Sequence, residues 1–437
     1  MSADVYQSFG RLSRNARRAA PAADMLAHLA GASPDSLLPF GNGRSYGDSC
    51  HNDAGTLVDF RGMNRIVAFD PSTGLFTAEA GVLLCDIIAH AAAHGWFLPV
   101  TPGTRFVTLG GAIANDVHGK NHHVRGTFGR HVESLTLHRS DRGALACSPH
   151  ENADLFSATI GGMGLTGFIT QATIRMMKVG SLDVEETVSR FDRLDEYFEL
   201  ADAADRCNEY SVAWIDQLAA GTAAGRGVLL AANHADDGEA ASANGAAKLS
   251  VPFELPVSAL NGASLRAFNA VFLAAKSRKA GTRRSGWQGY FYPLDAVGHW
   301  NRLYGPRGLF QHQSVIPVDA APTVIPDMLA ATRKAGQSSF LTVLKRFGDV
   351  ASPGLLSFPR PGYTLTLDFP NRGQRTLSLL AELDRMTVDA GGAVNPYKDA
   401  RMSAATFAAS FPQWDKLEAL RDPVAMSDFW RRTAKAL

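Results

Sequence analysis

The 437-residue chain carries 43 Lys plus Arg against 42 Asp plus Glu, a formal net charge of +1. That balance excludes a surface dedicated to nucleic acid and an acidic tail. With 46% hydrophobic and 19% charged residues the chain is not disordered, and its length suits about two domains.

Residues 1–38 are polar and basic, with a short helix expected around Ala22–Ala30. Glycine-rich turns then alternate with short β-branched and aromatic runs, which predict strands at Thr56–Phe60, Arg65–Phe69 and Leu75–Ala80. Leu83–His94 carries an apolar helical face and stops at Gly95. Glu133–Arg139 and Ala144–Cys147 read as a hairpin, and Phe168–Met176 as a further strand. Beyond Gly180, Phe191–Cys207 reads as helix, Gly227–Asn233 as strand and Asp236–Lys248 as loop. Lys276–Arg284 holds five cations and no acid, which reads as a solvated loop or as a contact for phosphate or an anionic membrane face. Tyr290–Tyr292, Leu309–Ile316, Phe340–Phe347 and Tyr363–Phe369 alternate like strands of one antiparallel sheet. Helices are expected near Pro322–Lys334 and Gln374–Ala390, and again beyond Pro396. The fold class is therefore α+β.

The four cysteines, Cys50, Cys85, Cys147 and Cys207, form no CxxC pair, so neither zinc, redox dithiol nor disulfide framework is expected. No run of about 18 apolar residues occurs, and the N-terminus lacks the apolar core of a signal peptide. The expectation is a cytoplasmic protein.

Glycine is in excess: 41 of 437 residues, about 9% where about 7% is usual. Nineteen of them lie in residues 41–167. They build three loops, Gly41–Asp48, Gly103–Asn115 and Gly161–Gly167. Glycine lets the backbone approach a ligand closely, and successive N–H groups make a nest for anions. No GKS or GKT follows, so this is no P-loop, and no GxGxxG opens a long helix. Three such loops suit a dinucleotide. His118, His122 and His123 could ligate zinc, but no acidic or cysteine set completes a site, so no metal is expected.

The segments GRSYGD (43–48), PGTRFVTLGGAIANDVHGKNHH (102–123), GTFGRHVESL (126–135) and GGMGLTGFIT (161–170) together resemble the flavin-binding domain of the vanillyl-alcohol-oxidase/p-cresol-methylhydroxylase superfamily. Within it they resemble the family of FAD-dependent oxidase subunits of decaprenylphosphoryl-ribose 2'-epimerases. The likeness continues through SVAWID (211–216), YPLDAVGHWNRLYGP (292–306), FQHQSVIP (310–317), SSFLTVLKRFG (338–348), PGYTLTLDFP (361–370) and YKDAR (397–401), and is poorest at 218–285.

The resemblance implies a discontinuous FAD-binding domain, 1–180 with 393–437, and an antiparallel-sheet substrate domain, 181–392. It implies FAD contacts from Gly41, Asn42, Gly43, Arg44, Ser45, Tyr46, Gly47, Asp48, Gly103, Thr108, Leu109, Gly110, Gly111, Asn115, His118, Ile169 and Asn395. Arg44 stands where several relatives carry a flavin-linked histidine, so the FAD is expected to be non-covalent. Lys398, His118 and Tyr46 are the implied catalytic residues; Lys398 could act as base or as anion stabiliser. Lys120, Trp214, Gln313, Lys345, Thr364 and Thr366 are the implied substrate contacts. Mycobacterial members carry a cysteine where this chain has Thr366, which predicts insensitivity to thiol-trapping nitroaromatics.

The implied reaction oxidises the ribose 2'-hydroxyl of a polyprenyl-phosphoryl ribose. A separate NAD(P)H-dependent short-chain reductase would complete epimerisation to the arabinose form. A lipid-linked substrate implies peripheral contact at the inner membrane or cell envelope. Two other readings share the fold: an oxidase of free sugars, alditols or aldonolactones, and a non-enzymatic flavoprotein that binds a lipid phosphate.

Overall fold

The computed structural model describes residues 6–236 and 249–437. Helices and mainly antiparallel sheets are mixed along the chain, as α+β predicts. Near the N-terminus Arg18–Pro21, Thr56–Asp59 and Leu37–Phe40 form a small parallel sheet. Ile66–Asp70, Leu75–Glu79, Phe168–Arg175, Val132–Arg139 and Gly143–Cys147 form a five-stranded antiparallel sheet in that spatial order. The helix Leu84–Ala92 buries Leu84, Ile87, Ile88 and Ala91 in the core of this region.

The largest sheet has eight strands in the order Gly281–Ser285, Val184–Phe191, Gly227–His234, Tyr210–Ile215, Thr342–Phe347, Gly362–Pro370, Leu309–Ile316 and Ala393–Val394. Its strand period of two sorts the side chains. From Gly362–Pro370, Tyr363, Leu365, Leu367 and Phe369 join the core beneath the helices Leu194–Asp205, Ala321–Lys334 and Gln374–Asp389. Thr364, Thr366 and Asp368 occupy the opposite face. Cross-strand pairing aligns Gln311 with Asp368, Gln313 with Thr366, and both Val315 and Lys345 with Thr364. One face is thus an apolar floor for helices; the other is a polar row.

Several sequence expectations need correction. Tyr290–Tyr292 is not a strand: Trp287–Phe291 is a short helix between Gly286 and Pro293. Its aromatic content reflects packing, since Phe291 lies against Phe97 and Tyr210. Phe191 ends the strand Val184–Phe191, and the helix starts at Leu194. Lys276–Arg284 is a helix end followed by an edge strand, not a loop. Lys276 and Arg283 pair with Glu186, and Arg284 with Asp183. The loop expected at Asp236–Lys248 lies, from residue 237 on, outside the described residues. Among those described, no helix is long and apolar enough to cross a membrane.

Candidate active site

The polar row of the eight-stranded sheet faces a cavity of about 910 Å³. Trp214, Gln311, Gln313, Lys345 and Thr366 project into it from the strands. The glycine loops close one end, and the helix Gly262–Ser277 with residues 289–302 closes the other. Asn261 caps that helix, and Asn269 donates to Asp216 at 2.7 Å, fixing it over the sheet.

Of the expected cofactor residues, Gly41, Asn42, Gly43, Arg44, Ser45, Tyr46, Gly103, Thr108, Gly110, Gly111, Asn115, His118 and Ile169 line the cavity. A Cβ on Gly41 would lie 2.4 Å from Thr108 Oγ1, and one on Gly110 2.9 Å from Ala80 Cβ. Gly43 has φ +59°, the left-handed region that favours glycine. Thr108 Oγ1 accepts from the Gly111 N–H at 3.2 Å, and Asn42 Nδ2 donates to the Phe106 carbonyl at 2.8 Å, tying the first two loops together. Bare backbone walls a long cleft here, which fits a dinucleotide such as FAD. Arg44 stacks over Phe9 and Phe106, and its buried Nε has no hydrogen-bond partner among the described residues.

Five expected site residues do not line the cavity. Leu109 is buried in the apolar core. Gly47 packs on the Asp399 carbonyl, and Asp48 accepts from Arg432 at 2.7 and 2.9 Å. Thr364 and Asn395 stand behind Gln313: Asn395 Nδ2 donates to Gln313 Oε1 at 2.9 Å, and Gln313 Nε2 donates to Thr364 Oγ1 at 3.0 Å.

This bracing sets a proton arrangement. The oriented Gln313 amide also presents Nε2 to His118 Nε2 at 3.0 Å, so that ring nitrogen accepts. The other ring nitrogen, Nδ1, lies 3.3 Å from Lys345 Nζ. Burial, with Lys398 nearby, lowers Lys345 to about 7. Burial and the cations Lys345 and Lys398 also hold His118 neutral, well below its usual range. His122 stacks on Phe347 with ring centroids 4.6 Å apart, and His123 bonds the Asn208 carbonyl at 2.9 Å.

At the same end Lys120 bonds the Tyr290 carbonyl and lies over that ring. Burial, followed by Lys345, lowers it to about 7, while Glu186 opposes the shift. Lys276 Nζ is 3.5 Å from Glu186. Lys120 and Lys276 thus gather at Glu186, which also pairs with Arg283, and Lys345 lies close to Lys120. Beside them Trp214 meets Phe272 at 4.7 Å and Phe268 meets Phe340 at 5.1 Å, forming an apolar corridor.

Lys398 Nζ lies 4.3 Å from the centroid of the Tyr46 ring. Burial lowers Lys398 to about 8, and Asp368 opposes that shift. Asp368 and Gln311 were not singled out in the sequence. Their places on strand faces, two residues from Thr366 and Gln313, are the period-two signal that identifies them.

Residues 24–148 match the family described as FAD binding domain. The decaprenylphosphoryl-beta-D-ribose oxidase of Mycolicibacterium smegmatis is 36% identical over 91% of this chain and 88% of its own. An uncharacterized protein of Streptomyces coelicolor is 34% identical over 77% of this chain and 96% of its own. L-gulonolactone oxidase of Mus musculus is 34% identical, over only 31% of this chain and 30% of its own.

Proposed function

We propose, for a chain that belongs to the FAD-linked oxidase family of the decaprenylphosphoryl-ribose oxidases, and is thus an FAD-dependent oxidoreductase, that it oxidises the 2'-hydroxyl of a polyprenyl-phosphoryl ribose. The carrying observation is the junction of Lys120, Lys276 and Lys345 with the corridor of Trp214, Phe268, Phe272 and Phe340. A phosphate that joins a sugar to an apolar chain needs cations and an apolar path side by side. A free sugar needs neither.

The bare backbone of Gly41–Ser45, Gly110 and Gly111 would hold the FAD, non-covalently, since Arg44 cannot form the histidyl bond. FAD, when bound, takes up the two electrons and the hydrogen leaving the carbinol carbon. The chain supplies orientation and the proton path. Lys398, lowered to about 8, takes the hydroxyl proton in its neutral form, with Tyr46 packed beside it. His118, held by Gln313 and Lys345, fixes the sugar from the sheet side. Lys120, Lys276 and Lys345 bind the phosphate.

The division into an FAD part (1–180 with 393–437) and a substrate part (181–392) follows this assignment. The keto sugar formed requires a reductase, here an NAD(P)H-dependent partner, to yield the epimer. The exposed Phe268 and Val271, on the helix that ends at the exposed Arg278 and Lys279, support peripheral contact with an anionic bilayer. Acid precipitation tests the cofactor linkage: the yellow colour leaves with the supernatant, whereas a yellow pellet contradicts it. Anaerobic mixing with polyprenyl-phosphoryl ribose tests the substrate.

A further inference from the structure

We propose that Phe9 is a positioning residue: its ring, wedged between Tyr46 and Trp300, holds Tyr46 in place beside Lys398. It rests on Lys398 standing at the reacting centre, as read above, but not on the identity of the sugar.

Segment 6–14 belongs to no helix or strand, yet its backbone is bound from both sides. The Phe9 N–H donates to the Ser45 carbonyl at 2.7 Å, and the Phe9 carbonyl accepts from Asn301 Nδ2 at 2.9 Å. The Leu309 N–H donates to the Gly10 carbonyl at 2.9 Å. A Cβ on Gly10 would lie 2.2 Å from the Tyr46 carbonyl oxygen, so the segment presses directly on the loop that carries Tyr46. Arg11 takes φ +56°, a left-handed conformation that a residue with a side chain adopts only where its surroundings impose it. Here they do: Arg11 and Arg14 both pair with Glu254, at 3.2 and 2.9 Å, and Arg14 also donates to the Pro306 carbonyl at 2.9 Å.

This anchoring fixes where the Phe9 ring goes. Its centroid is 5.2 Å from that of Tyr46 and 5.2 Å from that of Trp300, at interplanar angles of 57° and 53°. Trp300 opens the segment Trp300–Tyr304, and both ends of that segment join Tyr46 in one small apolar cluster. Arg302 donates to the Val251 and Pro252 carbonyls at 2.8 and 2.9 Å, so the segment is itself held. Rings at such separations attract one another beyond the area they bury. Lys398 Nζ stands over the Tyr46 ring, 4.3 Å from its centroid, where the ring face attracts an ammonium. The contacts therefore run Trp300, Phe9, Tyr46, Lys398. An aliphatic side chain at position 9 would fill the space but leave Tyr46 free to tilt away from the lysine. None of the lysines assigned to the phosphate belongs to this line of contacts.

The test compares FAD-loaded wild type with Phe9→Leu, Phe9→Tyr, Tyr46→Leu and the double variant Phe9→Leu with Tyr46→Leu. The first reading is the rate at which an amine reagent labels Lys398, followed by peptide mass spectrometry with no sugar present. Phe9→Leu should raise that rate about 2- to 10-fold, the span that one aromatic pair supports. Phe9→Tyr should keep the wild-type rate, and the double variant should equal Tyr46→Leu, because both changes break one path. The second reading is flavin reduction by polyprenyl-phosphoryl ribose. Phe9→Leu should lower its limiting rate about 10- to 100-fold and leave the half-saturating concentration unchanged. If Phe9→Leu does not fold, Phe9→Met fills similar space without a ring and replaces it. Unchanged labelling in the ringless variant, single effects that add in the double variant, or a raised half-saturating concentration at an unchanged limiting rate overturns the inference. The catalytic reading of Lys398 is tested apart: reduction of Lys398→Met at the wild-type rate overturns that reading, while the labelling still decides the Phe9 contact. The expected labelling pattern with no flavin reduction by the lipid-linked sugar supports the inference and overturns the substrate reading alone.

Discussion

Gly47 lies so close to Asp399 that a methyl group on its Cα would sit 1.6 Å from the Asp399 carbonyl oxygen. The first glycine loop and the loop bearing Lys398 are therefore in backbone contact. Two further links reinforce it: the Tyr46 N–H donates to the Tyr397 carbonyl, and Arg432 bridges Asp48 and Asp399. The segment proposed to meet the dinucleotide and the segment proposed to meet the substrate thus form one unit.

Gly47→Ala should push these loops apart. A displacement near 1 Å at Lys398 predicts a loss of about 100-fold in flavin reduction by substrate. Stopped-flow absorbance of the purified variant measures it, and reduction at the wild-type rate contradicts the coupling.

Arg432→Ala should destabilise the fold by roughly 2–4 kcal/mol, because Asp48 loses its ion pair and the buried Asp399 loses one of two, keeping Arg401 at 3.3 Å. Asp399 keeps the N–H groups of Arg401 and Met402. Urea unfolding of the FAD-loaded protein measures the change. A loss below about 0.5 kcal/mol, the range of ordinary surface substitutions, refutes the role.

Ligand affinity should fall with rising pH. Lys120 and Lys345 titrate near 7 because burial lowers them, so a bound phosphate favours their protonated forms. Binding of a phosphorylated ligand should take up protons near neutrality and weaken as pH rises through that range. Calorimetry in buffers of different ionisation enthalpy measures the uptake; affinity that rises with pH contradicts this sign.

Lys345→Met should remove one cation from the phosphate subsite and weaken lipid-phosphate binding by about 2–4 kcal/mol, or roughly 30- to 1,000-fold. A free pentose should be affected little. Equal losses for both ligands would place Lys345 outside the phosphate subsite.

Much of this was legible in sequence, and the gaps have physical causes. The alternation at Gly362–Pro370 marked a strand because one face carries Tyr363, Leu365, Leu367 and Phe369 while the other carries Thr364, Thr366 and Asp368. Tyr210–Ile215 was missed as a strand because its residues are apolar on both faces apart from Ser211, leaving no alternation to read. Trp287–Phe291 was misread because aromatics chosen for packing mimic β-propensity. The glycine loops were visible through composition. The Asp48–Arg432 pair was not, since 384 residues separate its members. Lys398 stood out only by resemblance, and Asp368 did not stand out at all, since its register with Gln311 is set by strand pairing.

The central claim is that the cavity acts on a sugar carried by a lipid phosphate. Anaerobic mixing of the FAD-loaded protein with polyprenyl-phosphoryl ribose, and separately with free ribose, alditols and aldonolactones, tests it most directly. The account predicts bleaching of the flavin absorbance by the lipid-linked sugar and none by the free compounds at the same concentration. Bleaching by a free sugar or lactone, with the lipid-linked sugar inert, would contradict it.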